Sequence, residues 1–449
     1  MHGIGIGNLV VSYQQRLHNN PFVFVRRAIG NRMKKYKIIR LGHQGDGIAD
    51  GPLFAPMTLP GEIVTATQDG DALKDVRIQT PSSDRVAAPC RHFKSCGGCQ
   101  LQHASDEFVA TWKAEIVKRA FAAHDLSPEI RPTLTSPAKS RQRATVAAKR
   151  TKSGAMVGFH GRASGTIIEV PDCQLLDPKI MAGFPIAEEL ATIGTSRKAA
   201  LAVALTVSED GLDASVTGGK ELDGPLRSEL AQLCDRSGLA RLTWDGETIA
   251  MRTPPRQAFG KAKVVVPAGG FLQATAHGAA TLQALVSEIV KGSKRVADLF
   301  AGSGTFTLPL AQTSAVHAVE GDKAMVASLD QGWRMALDLK PVTSEARDLF
   351  RRPMLPDELA KFDAVVLDPP RAGAVEQVRE LANSKVNVIA YVSCNPVTFA
   401  RDAAQLVEAG FILGWVQPVD QFRWSSHVEL VGSFRRKNSK AEGPKLTIG

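Results

Sequence analysis

The run Arg295-Val-Ala-Asp-Leu-Phe300 passes directly into Ala301-Gly-Ser-Gly-Thr-Phe306, and few folds accept that order. A strand, a Gly-x-Gly turn and then a helix let a ligand approach the backbone closely, because glycine has no Cβ. A helix from about Ala274 to Lys291 precedes it. The strand Ala315 to Val319 follows and ends at Glu320, where an acid can grip a ribose diol. No lysine follows the glycines, as a phosphate-binding P-loop requires, and the fuller glycine pattern of a Rossmann dehydrogenase is missing. A nucleoside-bearing cofactor without pyrophosphate, S-adenosylmethionine, fits better.

Further βα units continue the pattern. Phe362 to Leu367 is a strand ending at Asp368-Pro-Pro-Arg371, and Val386 to Val392 is another, ending at Ser393-Cys394-Asn395-Pro396. A helix then runs to about Ala409, and Phe411 to Val419 with Val428 to Phe434 can close an antiparallel pair. Together these describe a seven-stranded α/β methyltransferase sheet. Asp348, after the expected third strand, is placed to meet an adenine and reads equally well as a surface acid. Cys394 sits at a strand end and just ahead of a helix that Asn395 can cap, with Pro396 in its first turn. Both features favour a reactive thiolate, the helix dipole by lowering the thiol pKa. The bland reading is a buried structural cysteine.

Upstream the texture differs. Residues 33–86 are short β-like runs broken by Gly42, Gly45, Gly47 and Gly51: Tyr36 to Arg40, Gly47 to Ala49, Glu62 to Ala66 and Val76 to Ile78 fit a small five-stranded barrel. Cys90, Cys96 and Cys99 then fall within ten residues, in Cys-x5-Cys-Gly-Gly-Cys, which is a metal-ligand pattern. Cys173 is the best fourth ligand, with His92 and His103 as rivals. Spacing leaves zinc and an iron–sulfur cluster equally open. Cys234 reads as core. Asp106 to Ala122 is a plausible amphipathic helix. From about 130 to 265 short strands and glycines alternate, with cations at Arg141, Arg143, Lys149, Arg150 and Lys152 that serve either as a solvated face or as phosphate contacts.

The six cysteines do not form a secreted disulfide framework, and no apolar run approaches a membrane span, so a cytoplasmic protein is expected. Lys and Arg total 55 against 45 acids, a net charge of +10 that suits a polyanionic partner. Residues 1–32 are expected to be a poorly ordered extension, with Met33 an alternative start, and 438–449 a flexible tail.

From Lys35 to Phe434 the chain resembles the RNA uracil-5-methyltransferases. The likeness rests on the barrel around Gly42–Ile48, the cysteine motif with Gln100-Leu101-Gln102-His103, Phe-x-Gln at 271–273, Asp-Leu-Phe-Ala-Gly-x-Gly-x-Phe at 298–306, Asp-Pro-Pro-Arg at 368–371, Ser-Cys-Asn-Pro at 393–396 and His427-Val-Glu429. A TRAM-like barrel with a cysteine cluster is most similar to the branch acting on 23S ribosomal RNA. Thr305 and Asp348 stand where the family commonly has Asn.

The resemblance implies a class I methyltransferase domain over 269–437, a TRAM-like barrel over 33–86, and an iron–sulfur and central β-rich RNA-binding region over 87–125 and 126–268. It implies a [4Fe–4S] cluster on Cys90, Cys96, Cys99 and Cys173. S-adenosylmethionine contacts fall to Gln273, Phe300, Thr305, Glu320, Asp348 and Asp368. Cys394 is then the nucleophile that adds to uracil C6, and Glu429 the base that removes the C5 proton. The partner is RNA, most simply 23S rRNA bound by a monomer, with the cluster in a structural or RNA-positioning role. A tRNA substrate, a catalytically inactive RNA-binding protein and a cytosine-5 methyltransferase are the alternatives.

Overall fold

The computed structural model describes residues 33–437, so the expected extension 1–32 and tail 438–449 lie outside the described residues. Three larger β structures, a two-stranded ribbon of Arg256–Phe259 and Ala262–Val265, and a set of covering helices make up the described residues.

The first is a closed five-stranded barrel. Its strands are Lys34–Leu41, Gly47–Ala49, Leu53–Ala55, Ile63–Asp69 and Ala72–Thr80. Alternation turns Ile38, Val64 and Ala66 inward onto Leu53, Ala55 and Leu73. The second is a seven-stranded sheet built from Arg143–Arg150, Leu201–Ser208 and their neighbours, with the helices Phe184–Gly194 and Gly224–Ser237 packed into its core. Cys234 is wholly buried there, as its sequence context predicts.

The third sheet carries the candidate site. Its main strands, labelled in chain order, are β1 (Arg295–Leu299), β2 (Ala315–Glu320), β3 (Val342–Ala346), β4 (Ala364–Leu367), β5 (Val388–Ser393), β6 (Phe411–Asp420) and β7 (Glu429–Arg436). They run in the order β3-β2-β1-β4-β5-β7-β6. β1 to β5 are mutually parallel, and β7 is antiparallel to both β5 and β6. The sheet has nine strands rather than the expected seven, because Glu129–Ile130 and Leu134–Thr135 pair with the outer side of β6. Those two-residue segments have no periodicity to read; the open edge of β6 recruits them.

Both faces of the sheet's centre are covered, which is why β4 and β5 are apolar at nearly every position. Ala297, Leu299, Val365, Leu367 and Tyr391 face the helices Asp106–Ala122, Val375–Asn383 and Pro396–Glu408. Val296, Val366, Ala390 and Val392 face Ala276–Val290. Each such side chain contributes roughly 1.5–3 kcal/mol by leaving water. The helix Asp106–Ala122 is capped by Ser105, whose Oγ accepts from the Phe108 N–H, and opens with Asp106 and Glu107 at its positive end. It lies upstream in sequence but packs here, with Phe121 edge-on to Phe399.

Candidate active site

Parallel strands deliver their C-terminal ends to one edge, and the expected site residues gather there. After β1 the chain turns sharply: the Phe300 and Ala301 N–H groups both donate to the Val319 carbonyl, and Phe300 adopts a left-handed φ of 64°. Gly302 (φ 56°) and Gly304 (φ 98°) complete the turn. A Cβ on Gly304 would press on Leu308 and Leu329 at about 3 Å, whereas one on Gly302 would meet nothing within 4 Å. The turn is therefore packed below and open above. Glu320, at the end of β2, accepts from the Gly302 and Asp322 N–H groups.

Other expected contacts are placed less simply. Thr305 and Gln273 are buried, and the Gln273 amide oxygen accepts from Gln421 Nε2 at 2.6 Å. Asp348 uses its carboxylate on the Phe350 and Arg351 N–H groups and on the Arg351 side chain, so it caps a turn. That turn brings Phe350 onto Phe300, with ring centroids 5.4 Å apart, which makes an aromatic wall that the sequence reading did not anticipate.

Cys394 follows β5. Because β7 is antiparallel to β5 and pairs Leu430 with Ser393, the same register sets Glu429 opposite Cys394. Glu429 is 4% exposed, and burial pushes its carboxyl up to about 7, opposed by a hydrogen bond from Gln421 and by the Arg371 charge. Asp368, at the end of β4, is pushed well above the usual carboxylate range, first by desolvation and then by Glu429, Asp298 and Glu320.

The expected depression of the thiol pKa does not occur. Burial, then Glu429 and Asp368, push the Cys394 thiol up to about 11, with Arg371 acting in the opposite sense. The helix behind it does start where expected, and Asn395 caps it by accepting from the Val397 N–H. Burial, joined by two facing carboxyl groups, outweighs one helix terminus. The other half of the Asn395 amide donates to the Arg371 carbonyl, so the Asp-Pro-Pro-Arg turn is fastened to the Cys394 loop. Arg371 and Gln421 are thus neighbours of the Cys394–Glu429 pair that motif reading passed over, although Arg371 lies inside a quoted motif, and Asn395, read only as a helix cap, also holds the Asp-Pro-Pro-Arg turn.

The thiol opens onto a cleft of about 950 Å³ whose lining includes Arg40 and His43 of the barrel, Gln100, Arg119, Arg162, Arg371 and His427. His427 is exposed at the cleft; partial burial, then Arg371, Lys113 and Arg141, lower its pKa, so it is neutral at pH 7. Far apart in sequence, Gln100 of the cysteine loop and Cys394 line the same cleft.

Behind Gln100, Cys90, Cys96, Cys99 and Cys173 all line a second cavity of about 320 Å³. His92 and His103 do not line it; His103 is buried against Phe93, and desolvation holds its pKa down to about 4. Burial raises the Cys96 and Cys173 thiols and pushes Cys99 up to about 12, each raised further by the neighbouring cysteines. Among the described residues no group of three or more His, Cys, Asp or Glu side chains is arranged to hold a metal ion as it stands. Likewise, no helix of the described residues is long and apolar enough to cross a membrane.

Residues 261–437 match the family described as tRNA (uracil-5-)-methyltransferase. An uncharacterized RNA methyltransferase of Brucella suis is 43% identical over 394 residues, covering 87% of this chain and 95% of that protein. The 23S rRNA (uracil(1939)-C(5))-methyltransferase RlmD of Shewanella piezotolerans is 31% identical over 433 residues, covering 88% and 94%. Among solved structures, the Pyrococcus abyssi tRNA (uracil-54, C5)-methyltransferase in complex with S-adenosyl-L-homocysteine is similar over 89% of this chain and 99% of its own, at TM-score 0.70 and 22% identity.

Proposed function

Since this chain belongs to the RNA uracil-5-methyltransferase family and is an S-adenosylmethionine-dependent enzyme, we propose that it methylates C5 of a uridine in 23S rRNA through a covalent bond from Cys394 to C6. The observation that carries the reading is the β5–β7 register, which sets a carboxylate opposite a cleft-facing thiol. The rRNA assignment is supported by the relative from Shewanella, matched over nearly its whole length. We read the domain as class I from its strand order with β7 antiparallel, and the five-stranded barrel as a TRAM-like RNA-binding module.

Uracil C5 is a weak nucleophile. Addition of the Cys394 thiolate at C6 moves the ring's π electrons toward C5 and O4. S-adenosylmethionine, when bound, supplies an electrophilic methyl group. The open face above Gly302, the carboxylate of Glu320 and the Phe300–Phe350 wall fit a nucleoside. Glu429 then takes the C5 proton, the C–H electron pair reforms the C5–C6 double bond, and the C6–S bond breaks to return the thiolate. Arg371 holds a positive charge beside both Cys394 and Glu429, which favours their ionised forms. The base must leave its stack to reach this depth.

Three buried thiols and a half-buried fourth around one cavity also fit the [4Fe–4S] assignment. A cluster on Cys90, Cys96, Cys99 and Cys173 would supply the positive charge that lets thiols with raised pKa values become thiolates.

The test uses RNA containing 5-fluorouridine, whose C5 cannot release a proton. A denaturation-resistant adduct at Cys394, formed on 23S rRNA transcripts and lost in Cys394→Ser, is expected. Adduct formation on tRNA alone would move the substrate to the tRNA branch, and no adduct on either would remove the covalent mechanism.

A further inference from the structure

The segment Gln421 to Val428, which joins β6 to the base-bearing start of β7, is held by the cysteine loop. The Gln100 and Leu101 N–H groups both donate to the Trp424 carbonyl, at 2.8 and 2.9 Å. These donors come directly after Cys99. The Trp424 side chain is buried in one cluster with Phe93, Cys90, Cys99 and Leu175. Its backbone is left-handed, φ 60°, a conformation that costs a bulky residue of order 1–3 kcal/mol and persists only where the surroundings impose it. On either side the segment is tied elsewhere. Lys113 Nζ donates to the Phe422 carbonyl, Arg423 donates to the Ser136 carbonyl and pairs with Asp106, and the Gln421 amide, set by the Ala274 N–H and Gln273, reaches Glu429.

We propose that Trp424 is a positioning residue for the proton-removal step, transmitting the shape of the four-cysteine pocket to Glu429. The proposal rests on Glu429 being the base. Anchored by its ring among the cysteines and by its carbonyl on Gln100 and Leu101, Trp424 fixes the path of a segment that ends at Glu429 five residues later. A base displaced by about 1 Å loses rate steeply, whereas addition by Cys394, which directly follows β5, is untouched. Loss of the anchor therefore stalls the reaction after methyl transfer, with the C5–H bond intact and the C6–S bond unbroken. The role expected from sequence, structural or RNA-positioning, assigns the cysteine lobe no part in the chemical step.

The experiment compares Trp424→Ala, Trp424→Gly, Trp424→Phe and Gln100→Pro with Glu429→Gln in the full-length, cluster-loaded enzyme. RNA carrying tritium at uridine C5 gives proton release to water; gel-resolved complexes give covalent, methylated RNA–protein adduct; filter binding gives affinity. Trp424→Ala and Trp424→Gly should raise the stalled adduct roughly 10-fold or more over wild type, with RNA affinity within about twofold and the iron–sulfur absorbance retained. Glycine relieves the backbone strain but removes the ring, so matching behaviour of Ala and Gly assigns the effect to the anchor. Trp424→Phe should stay near wild type. Gln100→Pro removes one donor while keeping the ring, and carries the test if the tryptophan variants do not fold. Adduct accumulation in Glu429→Gln but in neither the Trp424 variants nor Gln100→Pro overturns the proposal. Absence of adduct in Glu429→Gln removes Glu429 as the base, a separate failure.

Discussion

The two side chains proposed to react stand in the same relation to their sequence. Cys394 and Glu429 were legible as residues, because short motifs mark them, but their charge states were not. The protonation of each depends on neighbours that only the β5–β7 register assembles. Their separate pKa values predict separable steps. With Glu429 at about 7, resolution of the methylated adduct should rise tenfold per pH unit below 7 and flatten above it. Adduct formation with 5-fluorouridine RNA, which depends on a thiol at about 11, should keep rising beyond pH 8. Single-turnover profiles of the two steps check this, and coincident profiles would show that one group governs both. Glu429→Gln should lower resolution by about 10²–10⁴-fold and stabilise the fold. A buried acid whose folded pKa is raised binds more protons folded than unfolded between its unfolded value of 4.5 and 7, so its ionisation makes stability fall as pH rises through that window. Replacing it should recover on the order of 3 kcal/mol well above pH 7 and nothing below pH 4, a difference that urea unfolding at pH 8.5 and pH 4 measures.

At the scale of elements, strong periodicity was readable and borrowed structure was not. The helix Asp106–Ala122 begins and ends where its Ser105 cap and apolar spacing place it, yet nothing in its sequence announces that it packs on the far C-terminal sheet. The barrel strand Leu53–Ala55 is too short to show alternation, and the two strands at 129–135 exist because β6 offers an edge. The lock between helix and sheet is equally tertiary: Lys113 Nζ meets Asp420 Oδ1 at 2.6 Å with side chains 0% and 1% exposed. Desolvation shifts the pKa of both partners toward their neutral forms, so burial outweighs their attraction on each side. Lys113→Met alone should therefore cost about 3–5 kcal/mol by stranding Asp420, while Lys113→Met with Asp420→Leu should recover most of it. Urea unfolding of the singles and the double gives the cycle, and additive losses would show that the two side chains do not interact.

The whole molecule is arranged so that its separate units meet at one cleft. A net charge of +10 suggested an anionic partner without saying where it binds, because charge counts carry no positions. The fold supplies them: Arg40 from the barrel, Arg119 from the helix that packs on the catalytic sheet, Arg162 beside the cysteine loop and Arg371 beside the nucleophile all line the cleft above Cys394. They are not equivalent. Arg162 is committed to the Phe93 and Cys99 carbonyls and Arg371 lies against Cys394, which leaves the exposed Arg40 and Arg119, the latter in a solvent-exposed ion pair with Glu115, as the two that can turn to phosphates. Each single-stranded phosphate contact contributes about −0.7 to the slope of log affinity against log salt. Arg40→Gln and Arg119→Gln should each reduce that slope by about 0.7 and the double variant by about 1.4, with single-turnover methyl transfer at saturating RNA unchanged. Arg227→Gln, on a central-domain helix and paired with Glu247, should leave the slope alone. If Arg227→Gln weakens binding as much as the cleft variants do, the protein holds RNA by diffuse charge and the cleft is not the path of the strand.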